Sequence, residues 1–260
     1  MKGASPTIST IIIFSILLSA VIFSVMLSYD LLEINAEIIE FKNGENEMLY
    51  LAYTIETLAS NIGASASVRF NTRTAVPSLI FNYSLFRVTV NSITVVEEHN
   101  IPVIIYTGGS KVFGVSKEDL RGVDALIVNQ TGIPLLYTYK TFNKRAMIII
   151  DPVRIRVTYL GVFNFSTPNG WKLLNVVSIE YIQFERGVLG GSGTITIYIK
   201  NINVTKETYL LAENTITINA IRQDILGKSR MENYVINGES VDGTVIVFSK
   251  SKIKISFSLG

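Results

Sequence analysis

Cysteine is absent from the 260 residues, and histidine occurs once. The first absence excludes disulfide staples, thiolate metal sites and a cysteine nucleophile together. The second leaves His99, which follows Glu97 and Glu98, without a second imidazole or thiolate to complete a metal site, so the trio reads as a loop. Charge is also scarce: charged residues make up 17% of the chain, the net charge is +2 and no polybasic block occurs, so nothing points to nucleic-acid binding. No serine stands in a nucleophile-elbow pattern. The glycine-rich stretch Gly187 to Gly193 has no following Lys-Ser/Thr and no strand–helix context, which makes it a hairpin turn and not a phosphate loop. No catalytic, cofactor-binding or metal site is expected, and no enzyme activity has positive support.

What the chain does have is an uninterrupted apolar run. From Ile8 to Tyr29 no charge occurs, and about 22 residues as a helix span roughly 33 Å, enough to cross a bilayer core of about 30 Å. Ser5 stands where an N-cap belongs and Pro6 at the first helical position, where its missing N–H costs nothing. Three readings compete. A cleaved secretory signal needs a shorter apolar core and a small-x-small site, whereas the nearest candidate, Leu18-Ser19-Ala20, opens on a bulky leucine. A single-pass anchor needs only the length. The third is a very short basic leader ending in glycine and cut before the apolar helix, so that the helix stays in the mature chain.

Lys2-Gly3 followed by Ala4-Ser5-Pro6-Thr7-Ile8 resembles the precursors of archaeal type IV pilins, which carry such a class III (prepilin) leader. The resemblance covers about the first 30 residues. Many bacterial type IV pilins carry Glu at the fifth mature position, where this chain has Ile8, which sets it apart from the bacterial group. The resemblance implies cleavage between Gly3 and Ala4 by a membrane prepilin peptidase, extraction by a cytoplasmic ATPase and membrane platform, and a filament whose core is a bundle of N-terminal helices. Within the run, Ala20, Ser24 and Ser28 recur at i, i+4, i+8 on one face, with Ser15 and Ser19 to the side. Small residues at that spacing let helix backbones approach closely, although a membrane serine can also bond its own backbone.

Beyond the run, Asp30, Glu33, Glu37 and Glu40 form an acidic stripe, expected to be solvated. On the other side Ile34, Ile38, Phe41, Met48, Ala52, Ile55, Ala59 and Ile62 follow a 4-3 alternation that passes through Asn43-Gly44, so one continuous helix is expected to Ile62, with Gly63 as its C-cap. From Ser65 onward the pattern turns alternating and β-branched. Short strands are expected at 67–70, 78–90, 93–97, 103–106, 126–128, 134–139, 146–150, 153–160, 176–184, 194–199, 207–211, 215–221, 243–249 and 252–258. Turn signals at Gly108-Gly109, Asn169-Gly170, Gly190-Gly191, Asn237-Gly238 and Asp242-Gly243 separate them. A short helix is expected at Lys117 to Arg121, from Ser116 and Asp119 as a capping box.

The fold class expected is therefore α+β: a leader of residues 1–3, a long helix over 4–62, and a large antiparallel β-sandwich over 64–260, Ig-like or doubled, with a subdivision considered near 141–145. Four sequons, at Asn82, Asn129, Asn164 and Asn203, all follow the helix, as they must if Lys2 stays cytoplasmic and the C-terminus is exported. The expected protein is a subunit of an archaeal type IV pilus-like surface filament, a homo-oligomer built through the N-terminal helix. It would be membrane-anchored before assembly and carry a glycosylated β domain outside, serving adhesion or cell–cell contact. The alternative is a single-pass anchored accessory protein of such a machinery that does not polymerise.

Overall fold

The row of helix-forming residues from Pro6 onward runs without a break to Ala59 as a single helix, α1 (Pro6–Ala59), in the computed structural model, which describes residues 6–167, 170–187, 194–224, 229–239 and 242–259. Gly3, Ala4 and the Ser5 cap lie outside the described residues, as do Asn169 and residues 188–193 of the glycine-rich stretch. The weak point at Asn43-Gly44 does not interrupt α1. Gly44 is buried there under the ring of Tyr106, which a Cβ would overlap, and the tyrosine donates its hydroxyl to the Glu40 carbonyl at 3.3 Å. The helix ends one turn earlier than Ile62, and Gly63 takes the positive φ (79°) of the exit. Its last carbonyls are held by the sheet: Asn201 Nδ2 donates to Leu58 O and Ala59 O at 3.0 and 2.9 Å, and Ser251 Oγ to Ala59 O at 2.7 Å.

Among the described residues thirteen strands follow: β1 (Ser65–Phe70), β2 (Val76–Val90), β3 (Ile93–Thr107), β4 (Glu118–Arg121), β5 (Val128–Gln130), β6 (Tyr137–Asn143), β7 (Arg145–Asp151), β8 (Ile155–Thr167), β9 (Gly170–Arg186), β10 (Ile195–Leu211), β11 (Thr215–Asp224), β12 (Ser229–Asn237) and β13 (Thr244–Leu259). They form a six-stranded sheet in the order β1-β10-β13-β9-β8-β5 and a seven-stranded sheet in the order β12-β11-β2-β3-β7-β6-β4. The α+β reading with a β-sandwich holds, and two of the pairings, β9 with β13 and β5 with β8, are parallel.

The six-stranded sheet carries two cores on opposite faces. On β9, Val177, Ile179 and Tyr181 belong to the core between the two sheets, whereas Ile182 and Phe184 belong to the core around α1. Successive residues of a strand point to opposite faces, so the adjacent pair Tyr181 and Ile182 marks the change of face. The parallel neighbour β13 changes at the paired positions: Ile246 and Phe248 face the first core, Ile253, Ile255 and Phe257 the second. The long strands thus serve a sandwich at one end and a helix–sheet layer at the other. This is why pairs of expected short strands, 194–199 with 207–211 and 243–249 with 252–258, are each one strand. The stretch 141–145 forms the β6–β7 hairpin, with Lys144 at φ 62°.

Three local features differ from expectation: 93–97 and 103–106, expected as separate strands, are both parts of β3. The segment expected as a short helix at Lys117–Arg121 is extended, as β4, because Glu118 pairs across to Lys140 at 2.6 Å and Asp119 accepts the Tyr137 hydroxyl and the Asp124 N–H instead of capping a helix. Strand β12, which pairs with β11, was not expected at all.

The candidate assembly helix and its anchoring

The buried line of α1 is Glu37, Phe41, Gly44, Met48, Leu51, Ala52, Ile55 and Ala59. Five expected seam residues are on it, while Ile38 and Ile62 are 45% and 66% exposed and Ile34 is only half-buried. The expected 3.5-residue repeat drifts about 20° per heptad against a straight helix, enough to carry Ile38 off the face.

The acidic stripe is not the solvated face that its charge predicts; it is the side that grips the β domain. Glu40 accepts the backbone N–H groups of Arg73, Thr74 and Ala75 at 2.5, 3.0 and 3.1 Å, and the Thr74 hydroxyl at 2.8 Å. Glu37 accepts the N–H of Lys111 at 2.6 Å, and the Lys111 ammonium bonds Glu33 and Asp30. Lower on the helix, Glu56 accepts the N–H of Leu136 and pairs with Arg121, and Glu45 meets Lys140 at 3.5 Å. Loop residues Gly108 and Gly109 make the approach feasible, since a Cβ on either would collide with Phe41 or with the Glu37 carboxylate.

Burial works to raise the Glu40 carboxyl, but the N–H groups of Arg73, Ala75 and Thr74 outweigh it and hold the group below the ordinary carboxylate range. A carboxyl depressed by folding contributes stability that is present above its unfolded pKa and lost as pH falls through the folded value. Replacing Glu40 by Ala leaves three loop N–H groups without their acceptor and is expected to cost about 1–3 kcal/mol in chemical denaturation. The advantage of the natural chain over Glu40→Gln is expected to shrink below about pH 4.

Residues 8–32 form the rest of the helix and are exposed throughout, with leucine, isoleucine, valine and phenylalanine on every side. Among the described residues α1 alone is long and apolar enough to cross a membrane, as an anchor or a signal sequence does. Its most apolar window reaches a mean hydropathy of 2.7. Ala20, Ser24 and Ser28 line a shallow groove with Leu17, Val21, Val25, Tyr29 and Leu32. The hydroxyls of Ser19 and Ser24 bond back to Ser15 O and Ala20 O, both at 2.8 Å. At about 100° per residue, Ala20, Ser24 and Ser28 fall on the same side as exposed Leu31, Ile38 and Tyr53, roughly opposite the line that meets the β domain. The sequence pattern had named the small residues; that they point away from the body follows only from which residues are buried lower on the helix.

Of the other candidate positions, Asn82, Asn164 and Asn203 are exposed. Asn129 is fully buried and donates its amide to Pro134 O at 2.6 Å, which closes it to a glycan in the folded chain. His99 is exposed, 4.0 Å from Glu97, whose carboxylate is engaged by Arg87, and no cluster of metal-ligating side chains occurs among the described residues. No family model, characterised protein or solved structure matches the chain.

Proposed function

We propose that this protein is a structural subunit of a surface filament of the archaeal type IV pilus kind, with the N-terminal helix in the filament core and the β domain on the exterior. One observation carries the reading: an apolar helix of membrane length stands free of its own domain, and its small-residue stripe faces away from that domain. A helix so placed can pass from lipid to a bundle of its own copies with no rearrangement of the body. Packing, rather than hydrophobic transfer, must then drive association, because lipid tails are as apolar as the helix. The leader residues Lys2 and Gly3 before Ala4 support processing by a prepilin peptidase, and with it the ATPase and platform that the resemblance implies.

A second reading, a non-polymerising membrane anchor, is favoured by the serine hydroxyls of Ser19 and Ser24, which their own backbone already satisfies. N-terminal sequencing of protein from native cells, together with electron microscopy of the sheared surface fraction, separates the two. A chain starting at Ala4 and recovered in fibres is expected. A surface-located chain that starts at Met1 would overturn the filament reading, and detergent-extractable monomers without fibres would leave the anchor.

A further inference from the structure

The inner row of β9 runs out of cover at its start. Val177 and Ile179 are buried in the core between the sheets, Asn175 is still buried, and then Leu173 and Trp171, on the same face, are 50% and 71% exposed. The register pairs Asn164 with Leu173 and Ser166 with Trp171 across the β8–β9 hairpin. Directly opposed residues of an antiparallel pair share a face, and diagonal neighbours lie about 7–8 Å apart, so the side chain of Asn164 stands beside both Leu173 and Trp171. Asn164 opens the exposed sequon Asn164-Phe165-Ser166.

We infer that Asn164 carries an N-linked oligosaccharide whose first sugars lie on Trp171 and Leu173. A pyranose ring has one face of C–H groups, which an indole can cover while the hydroxyls on its rim stay in water. A glycan attached from within the same face is therefore suited to lie on this exposed apolar surface. Exposed apolar surface at the end of a strand pair otherwise invites association. The other exposed sequons, at Asn82 and Asn203, provide controls on separate strands. The inference rests on export of the β domain, which the filament and anchor readings share.

Trp171 is the chain's single tryptophan, so its emission reports on this position alone. The experiment compares the full-length chain from native membranes, in detergent, with the Asn164→Gln and Ser166→Ala variants from the same cells. Peptide mass spectrometry is expected to find a glycan on Asn164. In the native chain the emission is expected to lie to the blue of both variants, with acrylamide quenching about half as efficient because the indole is shielded. A Thr205→Ala variant, which removes only the Asn203 sequon, is expected to match the native chain. Glycans on Asn82 or Asn203 with none on Asn164 would overturn the inference and leave the export reading standing; no glycan on any sequon would count against both. A glycan on Asn164 with quenching equal in native and variant chains would overturn the shielding of Trp171.

Discussion

Replacing Ala20 and Ser24 together by Leu is expected to abolish filaments while the subunit accumulates, folded, in the membrane fraction. Both positions are exposed, and the Ser24 hydroxyl bonds Ala20 O within the same helix. The change therefore removes nothing that holds the monomer together, and the melting temperature of the domain should not move. Insertion should improve, since Leu is more favourable than Ser or Ala at the centre of a membrane helix. In a bundle the same positions set how closely neighbouring helices approach. Tight axes lie about 8 Å apart, and two added Leu side chains on the contact face push them outward and break the packing that drives association. Electron microscopy of the cell surface and quantitation of the membrane fraction read the result. Fibres of normal number and appearance would refute the role given to the stripe.

The second large effect is on stability. Asp151 is fully buried, and its Oδ2 lies 2.6 Å from Arg222 and 3.8 Å from Arg154, which is itself buried. Its Oδ1 accepts the N–H of Val153 at 2.9 Å, and the Arg154 guanidinium stacks over the Tyr137 ring at 4.1 Å. Burial pushes the Arg154 guanidinium down, and Asp151 is the charge that opposes this most; at Arg222 burial is again the largest effect and acts in the same direction, but Asp151 together with Tyr139, Tyr83 and Asp124 outweighs it and the net shift is upward. Asp151→Leu strands both arginines in the interior, and breaking a buried pair from one side costs about 3–5 kcal/mol. For a domain of this size that lowers the melting temperature by roughly 6–20 °C, a large share of a total stability of about 5–15 kcal/mol. The triple change Asp151→Leu, Arg154→Met, Arg222→Met removes the stranded charges and is expected to recover most of the loss. If Asp151→Leu melts like the natural chain, the ion cluster contributes nothing and the packing around it sets the stability.

How much was legible in the chain differs by element. The continuity of α1 past Asn43-Gly44 could be read, because Phe41, Met48, Ala52, Ile55 and Ala59 repeat at the period of the helix itself. The exposed apolar run could be read from length and the absence of charge. The role of Glu37 and Glu40 could not, because their partners are backbone N–H groups of loops 33 to 74 residues away, and a backbone donor leaves no mark in the sequence. β4 was hidden for a related reason: Ser116 and Asp119 match a helix cap locally, and only the cross-strand partners Lys140 and Tyr139 override it. β13 looked like two strands, 243–249 and 252–258, because its buried row changes face opposite Tyr181-Ile182 of β9, where the strand leaves one core for another on the opposite side of the sheet.

The sequence by itself determined that a helix of membrane length precedes a strand-rich body, since both follow from the spacing of apolar side chains along the chain, a local property. Tertiary structure alone decided which side of that helix is free. The buried line through Glu37, Met48 and Ile55 turns Ala20, Ser24 and Ser28 away from the body, and the helix is rigid enough to carry that orientation from its anchored half to its exposed one. It likewise decided that Asn129 is closed and Asn164 open, because a sequon records only three neighbouring residues, whereas burial depends on which strands fold over them.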